Sequence, residues 1–224
     1  MRVPTMILLA IDTSGSGCFA AIHDSAGDVT LGMAGEDIGR GHAERLMDFI
    51  DQALANAGIE MGAVDRIAVT VGPGSFTGIR VGVAAARGLS LALGVPSVGI
   101  STLAAIAAGY RQGRPTSPVF VAMDAKRGEA YCQAFSADGA PIGEAAVLSL
   151  DEAKAAAHAA GGAIVGSASV LLGAGDEGGA GAAVAIDAVA RLGVLADPRA
   201  DRPKPLYLRG PDAKPQAGFA IARA

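Results

Sequence analysis

The chain has 224 residues and a mass of 22.1 kDa, and 51% of its residues are hydrophobic, enough for one sizeable core or two small ones. With 49 alanines, 32 glycines, 4% aromatic residues and no tryptophan, any core must be built from small side chains brought close together. A formal charge of −4 and a pI near 5.3 argue against a chain that binds nucleic acid alone through a broad basic face, because phosphate affinity needs clustered Lys and Arg.

Residues 6–11 form an apolar run that stops at Asp12, too short for a signal peptide or a membrane span, so a soluble cytoplasmic protein without a membrane partner is expected. The run itself reads as a first strand, 7–11. Ser14-Gly15-Ser16-Gly17 punctuates, and 18–22 reads as a second strand. Ser25-Ala26-Gly27-Asp28 is a turn, and 29–33 completes a three-stranded meander. The period then changes from two to 3.6. From His42 the apolar positions Leu46, Phe49, Ile50, Ala53, Leu54 and Ala57 mark an amphipathic helix, with Gly58 as its stop. A strand over 66–71, a tight turn at Gly72-Pro73-Gly74, a helix capped by Ser75 and running to Leu93, and a strand over 96–100 complete a first unit.

The second half repeats the order. Ala122-Met123-Asp124 ends an apolar run as Ala10-Ile11-Asp12 does, and each Asp is followed fifteen residues later by a turn glycine, Gly27 and Gly139. A strand over 129–135, a helix over 150–160, a strand over 163–166 and a helix over 182–192 follow, with a glycine-rich loop over 173–181. The expected division is a lobe over 1–103, a second over 104–210 and a poorly ordered, proline-containing tail over 211–224. The two cysteines, Cys18 and Cys132, cannot make a disulfide framework and read as reduced, buried thiols.

Candidate chemistry is sparse. Gly72-Pro73-Gly74-Ser75-Phe76-Thr77-Gly78 follows a strand and opens a helix, yet it lacks the Lys of a P-loop and its third glycine is one residue late for a dinucleotide fingerprint. Two readings stand: Gly72 and Gly74 shape a turn while Gly78 and Gly82 let the helix approach the sheet, or Gly72, Gly74 and Ser75 approach a nucleotide or a third subunit. Asp12 and Thr13, at the end of the first strand, could hold hydrated Mg²⁺ and a phosphate, with Asp124 in the equivalent place of the second half, or these Asp residues simply cap turns. His42-Ala43-Glu44-Arg45-Leu46 has Leu where a zinc hydrolase needs a second His, and no G-x-S-x-G elbow is present.

The helix after Ser75 is apolar nearly all round, with Arg80 and Arg87 as its only charges up to Leu93. One face can lie on a sheet; the other is covered either by the second lobe or by a partner, whose two helices would complete a bundle with this helix and its predecessor.

The runs Leu8-Leu9-Ala10-Ile11-Asp12-Thr13-Ser14, Gly41-His42-Ala43-Glu44, Val71 through Gly82 (VGPGSFTGIRVG) and Gly99-Ile100-Ser101-Thr102-Leu103 resemble the TsaB (YeaZ) family, bacterial subunits of the tRNA threonylcarbamoyladenosine machinery. Ala122 through Tyr131 and Leu206-Tyr207-Leu208-Arg209 resemble its later segments, so the likeness weakens only between about Gly139 and Arg202. The resemblance implies an α/β, two-lobed, actin-like (Hsp70-like) fold of duplicated βββαβα units with mixed sheets. It implies a non-catalytic role: a related TsaD-type subunit transfers the threonylcarbamoyl group to an adenosine beside the anticodon, and a TsaE-type ATPase joins a larger assembly. ATP and metal are then expected on those partners, none on this chain alone, with tRNA reached only through the complex and a homodimer formed when the chain is alone. On this reading Leu46, Phe49, Ile50, Ile79, Val83 and Ala86 form the exposed apolar strip that meets the TsaD-type partner, with Arg80 and Arg87 at its rim. The alternative function is an ATP-dependent kinase or nucleotide hydrolase of the same fold, with Asp12 and Asp124 flanking the nucleotide.

Overall fold

In the computed structural model, which describes residues 5–114, 116–175 and 183–209, strand β1 (Ile7–Asp12) is buried on both faces and organises everything around it. Its side chains alternate. Leu9 and Ile11 face one layer of helices, while Leu8 and Ala10 face another, and so a continuous apolar run is what the position requires. β1 pairs antiparallel with β2 (Gly17–Asp24), which pairs antiparallel with β3 (Val29–Asp37). On its other side β1 pairs in parallel with β4 (Arg66–Gly72), followed by β5 (Ser97–Ser101), giving the order β3-β2-β1-β4-β5.

Helix α1 (His42–Ala57) lies on β2 and β3, and α2 (Phe76–Leu93) lies on β4, side by side on the Leu9/Ile11 face. Gly58 ends α1 in the left-handed conformation at φ 65°, its N–H bonded to Leu54 O and Ala55 O. Ser75 caps α2, its Oγ accepting from Gly78 N at 3.2 Å. Among the described helices α2 alone has the length and hydropathy of a membrane span, but here Ile79, Val83 and Ala86 bind it to the sheet.

The chain then enters α3 (Thr102–Arg111), absent from the sequence expectation because no turn separates it from β5; Ser101 ends the strand and also caps the helix. A second sheet follows: β6 (Val119–Lys126), β7 (Glu129–Phe135), β8 (Pro141–Ser149) and, after α4 (Leu150–Ala160), β9 (Ala163–Val165), in the order β8-β7-β6-β9. β6 pairs antiparallel with β7 and parallel with β9, as β1 does with β2 and β4, so the duplicated βββαβ unit is present and the architecture is actin-like α/β with two mixed sheets.

Two segments of 104–210 pack on the first sheet. Helix α5 (Ile186–Leu195), expected over 182–192 in the second lobe, packs through Ile186, Val189 and Ala190 onto Leu8, Ala10, Ala21 and Ala68, the opposite face of the first sheet. Two devices hold it there. Gly193 carries no Cβ, which would overlap Ala68, and the Arg66 guanidinium donates Nη1 to Gly193 O, Val194 O and Ala196 O at 3.0, 3.1 and 3.0 Å, closing the helix's free carbonyls. Residues 201–209 also return to the first sheet: Gly99 N donates to Asp201 O at 2.7 Å and Leu206 N to Val71 O at 2.7 Å. The second lobe therefore centres on β6–β9 and α4. The tail over 211–224, residue 182 and most of the loop over 173–181 lie outside the described residues.

Candidate functional site

The turn after β1 and the start of α2 interlock. Gly72 and Gly74 take positive φ of 106° and 153°, and the Gly72–Pro73 bond is cis. The turn lies on residues 12–14: Ser75 N donates to Ser14 O at 2.7 Å, and Thr13 Oγ1 donates to Gly78 O at 2.8 Å. A Cβ on Gly74 would overlap Ser14 O, one on Gly78 would overlap Thr13 O, and one on Gly82 would overlap Thr13 Oγ1. The glycine series therefore serves close backbone approach, the first of the two sequence readings. At the start of α2 the Ser75 N–H is taken by the chain's own Ser14 O.

Asp12 is 4% exposed, and its Oδ1 accepts from Thr70 Oγ1 at 2.6 Å, Ser14 Oγ at 2.7 Å and Ser14 N at 3.0 Å. Burial pushes its pKa above the ordinary 3.8, against the pull of those three donors. A carboxyl so enclosed ties β1 to β4. Asp124 behaves oppositely. It is partly exposed, Lys126 Nζ donates to its Oδ2 at 2.6 Å and Lys126 N to its Oδ1 at 2.7 Å, and these bonds lower its pKa. The two carboxylates are thus a buried tie and a surface ion pair. Among the described residues no group of three His, Cys, Asp or Glu is arranged to hold a metal. His42 is buried, its Nε2 3.2 Å from Gly17 O, which fixes the start of α1 against β2. Cys18 and Cys132 are free and buried, their thiols pushed up to about 11 chiefly by burial.

The helix faces differ from the sequence expectation. Leu46, Phe49, Ile50, Ile79, Val83 and Ala86 do not form an exposed strip; each is at most 4% exposed and packs in one core with Leu9, Ile11, Ile67 and Val69. The periodicity located the stripe correctly, but the sheet takes it. Arg80 and Arg87 are exposed. The outward side of α2 carries Ala84, Gly88, Leu91 and Ala92, and that of α1 carries Ala43 and Met47. Leu91 is 86% exposed, the largest value among the exposed apolar residues described. Gly88 is the telling residue. A Cβ there would meet nothing within 4 Å, so no contact inside the chain explains a glycine in mid-helix, where it costs about 1 kcal/mol relative to Ala.

Comparison with known proteins bears on this geometry. A family model described as "TsaD: tRNA N6-adenosine threonylcarbamoyltransferase" matches residues 21–168. The Escherichia coli tRNA threonylcarbamoyladenosine biosynthesis protein TsaB is 34% identical over 133 residues. The chain belongs to the TsaD family, in its TsaB (YeaZ) group. The match covers 59% of this chain and 56% of the E. coli protein, and 52% of the Haemophilus influenzae TsaB, so it spans about half the length of these curated relatives. An uncharacterized Mycobacterium tuberculosis protein, Rv3421c, is 35% identical across 96% of this chain and 98% of its own. The solved structure of YeaZ from Pseudomonas aeruginosa superposes with a TM-score of 0.59 at 33% identity, covering 65% of this chain and 68% of that one. The GPGSFTGIR turn is built as a backbone joint. Its glycines meet residues 12–14, and the stretch opens the helix whose outer face is rich in small residues.

Proposed function

We propose that this chain is a non-catalytic accessory subunit in the formation of threonylcarbamoyladenosine on tRNA, acting in the cytoplasm by pairing with a TsaD-type transferase through the outward faces of α1 and α2. The observation that carries the reading is Gly88 with its neighbours. Ala84, Gly88 and Ala92 recur every four residues along exposed helix, a small-residue stripe that lets a second helix come close, flanked by Leu91 and Met47 as apolar anchors and by Arg87 for acidic groups. The engagement of Asp12 by Thr70 and Ser14, and of Thr13 and Ser14 by the turn at 72–78, supports a supporting role, because these residues are occupied in holding the fold. ATP and metal then belong to the transferase and to a TsaE-type ATPase in the larger assembly, and tRNA is met through the complex.

The same face serves a homodimer in the isolated chain, since a twofold interface uses one patch on both copies, and the transferase displaces the second copy. Reconstituting the modification with a TsaD-type transferase and a TsaE-type ATPase from the same organism tests the role. Product is expected only when this chain is present, and neither ATP turnover nor transfer from this chain alone. Full transfer without it, or turnover by it alone, overturns the reading.

A further inference from the structure

Residues 201–209 form a strap across the first sheet and on to the second lobe. Asp201 O meets Gly99 of β5, Leu206 N meets Val71 of β4, Tyr207 meets α2, and Arg209 donates Nη1 to Ala125 O of β6 at 3.1 Å and pairs with Glu129 of β7. From 202 to 209 the strap carries Arg202, Lys204 and Arg209 and no acidic residue, and both Arg202 and Lys204 are exposed. Eight Phe and Tyr residues lie among those described, and only Phe76 and Tyr207 are exposed, at 55% and 47%. These two touch. Their ring centroids are 5.3 Å apart, and the Arg80 guanidinium lies 3.7 Å over the Phe76 centroid while its Nε donates to Tyr207 Oη at 2.8 Å. The strap is already fastened by backbone bonds at Asp201 and Leu206 and by the Arg209 side chain, so its fixing does not require exposed aromatic surface.

We propose that this edge, Phe76, Arg80 and Tyr207 with Arg202 and Lys204, contacts a single-stranded stretch of RNA. A base stacks on the exposed aromatic surface and the basic residues of the strap hold the flanking phosphates. Stacking on aromatics beside a cationic track is the general chemistry of single-strand binding, and every base has a face to offer. The proposal rests on the reading of this chain as a subunit of a tRNA-modifying assembly and deepens it. A net charge of −4 is compatible with it, because the cation cluster is local. Arg80 lies at the N-terminal end of α2, eleven residues or about 16 Å from Leu91, so the transferase footprint around Gly88 leaves this end open.

The test is fluorescence anisotropy with a labelled oligouridylate of about 12 nucleotides at low salt, on the full chain alone, and with unmodified tRNA on its complex with the transferase. The double substitution Arg202→Glu, Lys204→Glu is expected to weaken oligouridylate binding at least about tenfold and to lower the salt slope by about 1.4, two single-strand phosphate contacts. Tyr207→Ala is expected to weaken it about tenfold while Tyr207→Phe restores it, since the ring stacks and the hydroxyl does not. Absence of oligouridylate binding by the wild-type chain, or affinity unchanged within about twofold in the variants, overturns the proposal. Variants that leave RNA affinity intact but abolish pairing, read by light scattering, would make this edge a protein contact and also overturn it. A wild-type chain that binds oligouridylate but never pairs with the transferase would sink the accessory-subunit reading and leave the RNA site standing.

Discussion

Val83 and Ala84 are neighbours on α2 but point about 100° apart, and they separate the core from the partner face. Val83 is 4% exposed against the sheet, and Ala84 is exposed. Val83→Glu removes an apolar side chain worth about 2 kcal/mol and buries an unpaired carboxylate at a further 3–5 or so, roughly 5–7 kcal/mol in all. That is most or all of the stability of an ordinary domain. Ala84→Glu adds a hydrated side chain and costs only a few tenths of a kcal/mol of helix propensity. In thermal denaturation the first variant is expected to be insoluble or to melt at least about 10 °C lower, and the second to melt within about 2 °C of the parent. In calorimetric titration with the transferase, Ala84→Glu is expected to weaken pairing at least a hundredfold, about 2.7 kcal/mol, because it sets a charge in the middle of a close helix contact. A folded Val83→Glu protein that has lost pairing, with Ala84→Glu pairing normally, would reverse the assignment of the two faces and refute the argument.

Asp12→Asn keeps an acceptor for Thr70 and Ser14 and is expected to hold or raise the melting temperature, whereas Asp12→Ala strands those donors and should cost about 2–4 kcal/mol by urea denaturation. Because burial raises the Asp12 pKa above 3.8, the folded state keeps the proton to higher pH than the unfolded chain; the stability of wild type relative to Asp12→Asn should rise as pH falls through the raised pKa and level off below 3.8. His23 has the opposite sense. Its ring is buried, Nδ1 has no partner, and burial holds its pKa below 6.5 despite Asp28 3.5 Å away, so protonation in the unfolded chain withdraws stability as pH falls below 6.5, and His23→Gln should remove that loss in pH-dependent melts. Arg66→Met releases the carboxyl end of α5 and should cost about 2 kcal/mol, a shift of about 4–8 °C, with faster amide exchange in residues 186–196.

Period and punctuation made most of the fold legible. The alternation around β1, the 3.6 repeat of α1 with its terminal Gly58, and Ser75 as a cap all stand where the residues place them. What failed did so for physical reasons. α3 follows β5 with no intervening turn, and β8 is an edge strand whose first four residues are exposed, so neither announces itself by composition. α5 lies in the second half of the chain but belongs to the first sheet, a long-range pairing that a linear reading assigns to the nearer lobe. In α2 small apolar residues cover most of the circumference, so periodicity gives the stripe without saying whether a sheet or a partner takes it. The usable signal was Gly88 together with Ala84 and Ala92, spaced by four in mid-helix. The sequence places Arg80 on the rim of a helix face, and its contact with Tyr207, 127 residues away, is visible only in three dimensions.

The central claim is that this chain works by pairing, and light scattering on a sizing column tests it most directly, using the chain alone, the TsaD-type transferase from the same organism, and their mixture. The account expects a self-dimer that gives way to a one-to-one heterodimer in the mixture, with Ala84→Glu monomeric and unable to form either. Two species that elute unchanged when mixed, or a heterodimer indifferent to Ala84→Glu, would contradict it.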